Sequence, residues 1–303
     1  MPAGYGAEAP GQTATRSFMK LLGEKGVERL FMLVAFSAIG GLLLIALFVL
    51  KEGLPFILRV GPGHFLFSSE WKPEAGKFGI AAMIVASFWV TLGAMLVGAP
   101  LGVAGAVFLT EFVPKPVMRV IKPTIELLAG IPSVVYGFVG VMTLAPLIRV
   151  HLGGSGLSVL AAAVVLGIMI LPTVISISVD AIGAVPNSYR EGSLALGATR
   201  WQTVCMVVLK AARSGILASI ILGMGRAIGE TMAVIMIAGN TVAIPHSYLD
   251  SARTLTASIA LEMNSASGDH RQALIATGVV LFAIIMILNS AASAMVRKGA
   301  RRA

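Results

Sequence analysis

Cysteine is almost missing from this 303-residue chain: Cys205 stands alone, which excludes an intramolecular disulfide and any site built from several thiolates. Charge is equally scarce, at 12% of residues against 57% hydrophobic. A water-soluble domain of this length could not hide so much apolar side chain, so lipid must be the solvent for most of it. The four histidines, His64, His151, His246 and His270, are scattered outside the longest apolar runs and lack metal-ligand spacing. That distribution also removes a Ser-His hydrolytic pair within the membrane, although Ser133 lies near Glu126 and Tyr136. No Gly-x-x-x-x-Gly-Lys-Ser/Thr loop is present, so the chain does not carry a P-loop nucleotide site. Gly153-Gly154-Ser155-Gly156 reads as a turn between spans. No cleavable signal is evident, and residues 1–15, rich in Gly, Ala, Pro and Thr, read as a disordered tail.

What the chain does have is six apolar runs, at 30–50, 79–110, 117–148, 157–179, 215–243 and 273–296. A spanning helix needs about 20 residues. The second run is longer, and a tilted helix bent near Pro100 accounts for it. The third contains Pro123, Pro132 and Pro146 and invites the same reading. The expected fold class is therefore an all-α polytopic membrane protein with six transmembrane helices. The net charge of +9 could suit nucleic acid, but the basic residues lie between spans rather than in one patch, so none is expected as a partner. With the N-terminus inside, fifteen Lys and Arg fall on the inner segments and seven on the outer ones. This asymmetry puts both termini in the cytosol. The segments 51–78 and 244–272 are then outer loops. The organisation expected is a tail over 1–28 and a permease domain over 29–303, the latter interrupted by a polar cytosolic segment at 183–213. No internal repeat is evident.

Within that segment two short helices are expected, joined near Gly197, where a residue lacking a β-carbon can take positive φ. Asn187 or Ser188 is placed to cap the first helix, with Glu191 completing the cap. Trp201, Val204 and Val208 recur at helical spacing and define an apolar face. Three ionisable residues fall inside the runs: Glu126, Arg226 and Glu230. Each would cost roughly 2.5–3.5 kcal/mol in hydrocarbon unless paired or facing water. Arg226 and Glu230 are four residues apart, hence on one helix face and able to neutralise each other. The alternatives are a structural ion pair and an Arg226 that lines an anion path, with Glu230 orienting it. Glu126 reads as a structural or snorkelling group near the inner interface.

The spacing of Glu191, Gly197, Val207 and Leu209 resembles the loop of binding-protein-dependent ABC importer permeases that couples them to their ATPase. Gly192 and Ser193 stand where that family has two alanines, and Lys210 where it has a terminal proline, which bears on how the second helix ends. Ile125-Glu126-Leu127-Leu128-Ala129-Gly130-Ile131-Pro132-Ser133-Val134-Val135-Tyr136-Gly137 and Gly225-Arg226-Ala227-Ile228-Gly229-Glu230-Thr231-Met232-Ala233-Val234 are similar to span signatures of phosphate permeases, in particular the PstC type. The resemblance implies a MetI-like fold and a non-catalytic subunit without cofactor or metal, in the bacterial inner membrane. It also implies docking of Glu191, Gly192, Ser193, Gly197, Val207 and Leu209 on an ATP-binding subunit dimer, a second permease of the PstA type and a periplasmic phosphate-binding protein. Arg226, Glu230 and Glu126, as charges within the spans, are the candidate pathway or gating residues. Competing readings are a permease for molybdate or sulfate, an ion-coupled secondary carrier, and a phosphate-sensing regulator.

Overall fold

The computed structural model describes residues 10–300, with side chains described for 26–294. The chain divides into two compact units, 1–51 and 52–303. Helix α1 (Pro10–Val60) makes up the described part of the first and continues into the second. Residues 10–15, expected as disordered tail, are helical, and 1–9 lie outside the described residues. From Leu30 to Leu50 the helix is apolar on every face, with Phe31, Leu42 and Leu44 all exposed. Such a helix is at home only in lipid or against protein.

The second unit continues through α2 (Pro62–Phe67), a minimal antiparallel hairpin of β1 (Trp71–Lys72) and β2 (Lys77–Phe78), and α3 (Ala81–Val107). Then come α4 (Lys115–Ala129), α5 (Ser133–Val139), α6 (Ala145–His151) and α7 (Val159–Gly183). The short helices α8 (Asn187–Ala195) and α9 (Arg200–Thr203) precede α10 (Leu209–Gly229), α11 (Met232–Ile237), α12 (Leu255–Glu262) and α13 (Gly268–Ala300). Among the described residues there are three π-helical turns: Gly140–Leu144 and Val204–Val208 join helices without breaking them, whereas Phe108–Phe112 ends α3 and gives way to extended Val113. Among the described residues, six stretches are long and apolar enough to cross a membrane: Gly26–Val60, Ala81–Phe112, Ser133–His151, Val159–Gly183, Arg200–Gly229 and Gly268–Ala294.

Two of these differ from the expected runs. The third run breaks at Gly130-Ile131-Pro132, because Pro132 takes an extended ψ of 136° and starts a new helix at Ser133. Its first half becomes α4, an amphipathic helix lying against α7. The fifth run breaks at Glu230, which is extended (φ −71°, ψ 133°), and the chain resumes as the short α11.

α7 is the most buried span and packs against α3, α10 and α4. Apolar burial gives helices no advantage over lipid tails in a membrane, so association rests on close packing and interhelical hydrogen bonds. The α3–α7 seam meets that need with small residues. A β-carbon at Gly98 would stand 2.6 Å from the Gly167 carbonyl oxygen, and one at Gly102 would stand 2.7 Å from Val174 Cγ1. Between α7 and α10 the buried Ser178 and Ser219 hydroxyls lie 2.8 Å apart.

At the end of the bundle away from α8, the segments 52–78 and 244–272 form an ordered cap. Phe78 packs edge-on against Phe56 at 5.2 Å and against Trp71 at 6.0 Å. The half-buried Glu262 carboxylate accepts from Trp71 Nε1 at 2.9 Å and from Arg253, and meets His270 Nε2 at 2.8 Å. Hairpin, α12 and the start of α13 are thus tied to one side chain. On the hairpin surface the Lys77 ammonium hydrogen-bonds the Glu70 carboxyl and holds it below the usual carboxylate range.

Candidate functional site

The polar segment folds as a knob at one end of α7. Its first helix starts at Asn187 with Pro186 in the capping position, and no side chain caps it; the expected cap by Asn187 or Ser188 with Glu191 is not formed. The reason is proline's fixed φ, which sets up the first turn while Asn187 and Ser188 are already helical. Gly197 has φ of 82°, as expected for the left-handed residue that ends this helix. The next start is capped by Thr199, whose hydroxyl accepts from Gln202 N while Gln202 Oε1 accepts from Thr199 N. The second helix does not end within the segment. It passes through the π turn and Lys210 into α10, because lysine keeps the backbone donor that proline would remove.

Glu191, Gly192 and Gly197 are exposed, and Ser193 and Val207 half-buried. Ser188, Tyr189, Gly192, Ser193, Leu196 and Val207 line a shallow concavity on the knob. Around it Tyr189, Leu194, Leu196, Trp201 and Met206 are exposed, Leu196 at 90%. Trp201, expected on one apolar face with Val204 and Val208, points outward at 63% exposure, whereas those two valines are buried. Leu209 packs on the same apolar cluster as Val204 and Val208, with Val179, Ile182 and Val185 of the α7 end and Met118, Ile121 and Ile125 of α4.

Two polar contacts fix the knob. Ser193 Oγ and Thr203 Oγ1 lie 3.0 Å apart and join its two helices. Arg190 makes a forked ion pair with Glu111, with Nη2 to Oε1 at 2.6 Å and Nε to Oε1 at 3.2 Å. Its remaining donors reach the carbonyls of Val185 at 2.8 Å and Ile182 at 3.1 Å. Both side chains are well shielded, at 19% and 11% exposure. Glu111 lies in the π turn that closes the α3 span, so this clamp ties the knob to α3 and α7 together. Sequence reasoning missed it. A single acid at the end of an apolar run carries no local signal, and its partner is 79 residues away.

The three ionisable residues expected within the spans do not contact one another. Arg226 and Glu230 neither share a helix nor pair, because the helix ends between them at Gly229. The Glu230 carboxylate instead accepts from Ala233 N at 3.3 Å and closes the first turn of α11. Arg226 is half-buried and donates to Thr173 Oγ1 at 3.4 Å and the Ala129 carbonyl at 3.3 Å. Among the described residues no carboxylate reaches it. Glu126 sits on α4, accepts from Ser176 Oγ at 3.3 Å and lies 4.0 Å from Lys122 Nζ. Among the described residues no group of His, Cys, Asp and Glu could hold a metal ion.

Comparison with known proteins bears on this arrangement. Residues 98–302 match the model of the "binding-protein-dependent transport system inner membrane component" family. The chain is 48% identical over 224 residues to the probable ABC transporter permease protein YqgH of Bacillus subtilis, covering 72% of each chain. It is 37% identical to the phosphate transport system permease protein PstC of Mesorhizobium japonicum, over 77% of this chain and 78% of the relative. With the PstC of Haemophilus influenzae the identity is 33%, over 90% and 92%. Among solved structures, a bacterial ABC transporter that imports the acidic polysaccharide alginate matches with TM-score 0.60 at 14% identity, covering 90% of this chain and 98% of that one. The MetNI methionine transporter matches with TM-score 0.53 at 20% identity, over 73% and 94%. At such identities the structures establish the fold, a MetI-like permease bundle. The extent of the family match and the level of identity to these relatives lead to one conclusion: the chain belongs to the binding-protein-dependent transport system inner membrane components.

Proposed function

We propose that the chain is the transmembrane permease subunit of an ATP-driven importer of inorganic phosphate, forming half of the translocation pathway and hydrolysing nothing itself. The observation that carries the anion reading is Arg226. A guanidinium between membrane spans costs roughly 2.5–3.5 kcal/mol on insertion scales. Here it is met only by one hydroxyl and one carbonyl, at 3.4 and 3.3 Å, with no carboxylate partner among the described residues. A passing oxyanion supplies the missing charge. That the oxyanion is phosphate, rather than molybdate or sulfate, is supported by the names of the PstC relatives.

The knob faces the cytosol, as do both termini, in accord with the bias of basic residues. Glu191, Gly192, Ser193, Gly197, Val207 and Leu209 belong to the surface and support of this knob, which seats in an ATP-binding subunit dimer. The exposed apolar rim of Tyr189, Leu194, Leu196 and Trp201 suits a protein groove better than water. Closure of the ATPase pushes the knob. The Arg190–Glu111 clamp passes the push to α3, and the valine cluster passes it to α4 and α7. A second permease of the PstA type completes the pathway, and a periplasmic phosphate-binding protein delivers the anion to the cap at the other end. A membrane site that only relays the anion works best when its hold is weak. The two long hydrogen bonds of Arg226 leave most of its donors free for that.

The deciding experiment is affinity purification from membranes followed by reconstitution in proteoliposomes. Expected are co-purification of one ATPase and one second permease, and ATP-dependent phosphate uptake that excess molybdate or sulfate does not suppress. Suppression by either anion would reassign the cargo. Uptake driven by an ion gradient without ATP would remove the importer reading. Arg226→Gln should abolish uptake in an assembled complex.

A further inference from the structure

The helices α4 and α7 face each other with complementary polar stripes. On α7 these are Thr173, Ser176 and Asp180, at i, i+3 and i+7; on α4 they are Lys122, Glu126 and the Ala129 carbonyl, at i, i+4 and i+7. Both sets therefore lie along one helix face. They pair in order. Lys122 Nζ donates to Asp180 Oδ1 at the knob end, Ser176 Oγ donates to Glu126 Oε1 at 3.3 Å one turn further in, and Arg226 bridges Thr173 Oγ1 and the Ala129 carbonyl beyond that. The column runs from Thr173 to Asp180 of α7, seven steps of about 1.5 Å, or about 10 Å.

Two features set it apart from ordinary interhelical glue. The Ser178–Ser219 contact on the other side of the same helix is fully buried. In the column, Lys122, Glu126 and Asp180 are 31%, 52% and 64% exposed. Charges opening onto lipid would be costly, so this side must face water or a polar surface. The second feature is the order of charges. The column starts at Arg226, which lacks a carboxylate, and ends at Lys122, whose two carboxylates compete with any arriving anion.

We infer that the α4–α7 column is the cytosolic leg of the anion's route, with Lys122 a second station that exchanges Asp180 for the phosphate leaving Arg226. The inference rests on the phosphate reading above. Thr173 and Ser176 supply hydroxyl donors between the stations. Glu126 and Asp180 keep the second station weak: they hold Lys122 in place when it is empty and displace the anion from it. The same apolar cluster that holds Val204 and Val208 also holds Ile121 and Ile125 of α4, so knob motion reaches the column directly.

The test uses the whole complex in proteoliposomes loaded with increasing internal phosphate, with uptake of labelled phosphate as the readout. If Lys122 is a cytosolic station, internal phosphate competes for it. Asp180→Asn should lower the half-inhibiting internal concentration, and Lys122→Gln should raise it, each by about fivefold or more. A merely structural clamp moves both variants in the same direction, or neither, and that result overturns the inference. A second measurement survives poor assembly of either variant. In a Cys205→Ser background, Ser176→Cys should react with a membrane-impermeant cationic thiol reagent from the cytosolic side, more slowly when phosphate is present. A thiol that does not react, or whose rate ignores phosphate, also overturns it. Absence of phosphate uptake by the wild-type complex would instead remove the proposed function.

Discussion

The Arg190–Glu111 clamp shows how one residue pair can be tested for stability and coupling separately. Truncating Arg190 strands a carboxylate that is only 11% exposed. Breaking a shielded pair from one side costs about 3–5 kcal/mol, whereas replacing both partners with apolar groups is often near neutral. Arg190→Ala should therefore lower the melting temperature of the purified complex. Arg190→Met with Glu111→Leu should restore most of it, yet leave ATP hydrolysis uncoupled from uptake, because packing cannot replace the directional link between knob and α3. Restored coupling in the double variant would show that the clamp serves folding alone. Gly197 offers a cleaner case. A β-carbon there meets nothing within 4 Å, so only its φ of 82° opposes substitution. Gly197→Ala should cost roughly 1–2 kcal/mol, the usual penalty for an L-residue in the left-handed region, confined to the knob. Amide exchange over 187–203 would rise while the spans stay protected. Gly197 was readable from the sequence because a helix end needs positive φ whatever lies around it. Glu111 was not, since what singles it out is a partner brought near by folding.

Among elements, the six apolar spans were legible from residue polarity alone, but the breaks within two runs were not. Hydropathy cannot see the break at Gly130-Ile131-Pro132, since all three residues are compatible with lipid. Nor does it see the end of α10, because Ala227-Ile228-Gly229-Glu230 reads as continuous helix until Glu230 turns to cap α11. That second break is why an expected ion pair became two separate groups. Likewise, Trp201 fits the apolar spacing of Val204 and Val208, yet it lies exposed while those two are buried. Contact between α3 and α7 yields a prediction that depends on element geometry. Gly98→Ala places a methyl group 2.6 Å from the Gly167 carbonyl oxygen, while Gly105→Ala places one 3.5 Å from Ile175 Cδ1, an ordinary contact. Backbone cannot yield as a side-chain tip can, so the first substitution must push the helices apart. A loss of about 1–3 kcal/mol, the usual range for overpacking, is expected for Gly98→Ala, with little change for Gly105→Ala. Thermal unfolding of the two variants side by side checks this.

For the whole molecule, the polar anchors sit at opposite ends of one bundle: Arg190–Glu111 beside the knob and Glu262 within the cap. An importer must open its two ends in alternation, and that requires each end to be held by contacts that can be weakened without melting the other. Glu262 joins Trp71, 191 residues away, to Arg253 and His270, so one carboxylate ties the hairpin to the α12 region and the start of α13. Glu262→Gln keeps the size of the side chain and one carbonyl acceptor. It removes the charge opposite Arg253, whose Nε still donates to the Asn240 carbonyl at 3.0 Å. The side chains of this pair are 19% and 21% exposed, so solvent screens little of the loss, and the cap should weaken by about 3 kcal/mol. Hydrogen exchange would then rise over 52–78 and 244–272 while 187–203 stays as protected as in the wild type. On the proposed coupling through the knob, basal ATP hydrolysis by the assembled complex should persist, and its stimulation by the loaded binding protein should fall. Arg190→Ala should give the mirror image, with the knob loosened and the cap intact. If either variant loosened both ends equally, the bundle would be one cooperative block, and alternate opening would have to come from rigid rotation against the second permease rather than from release of anchors within this chain.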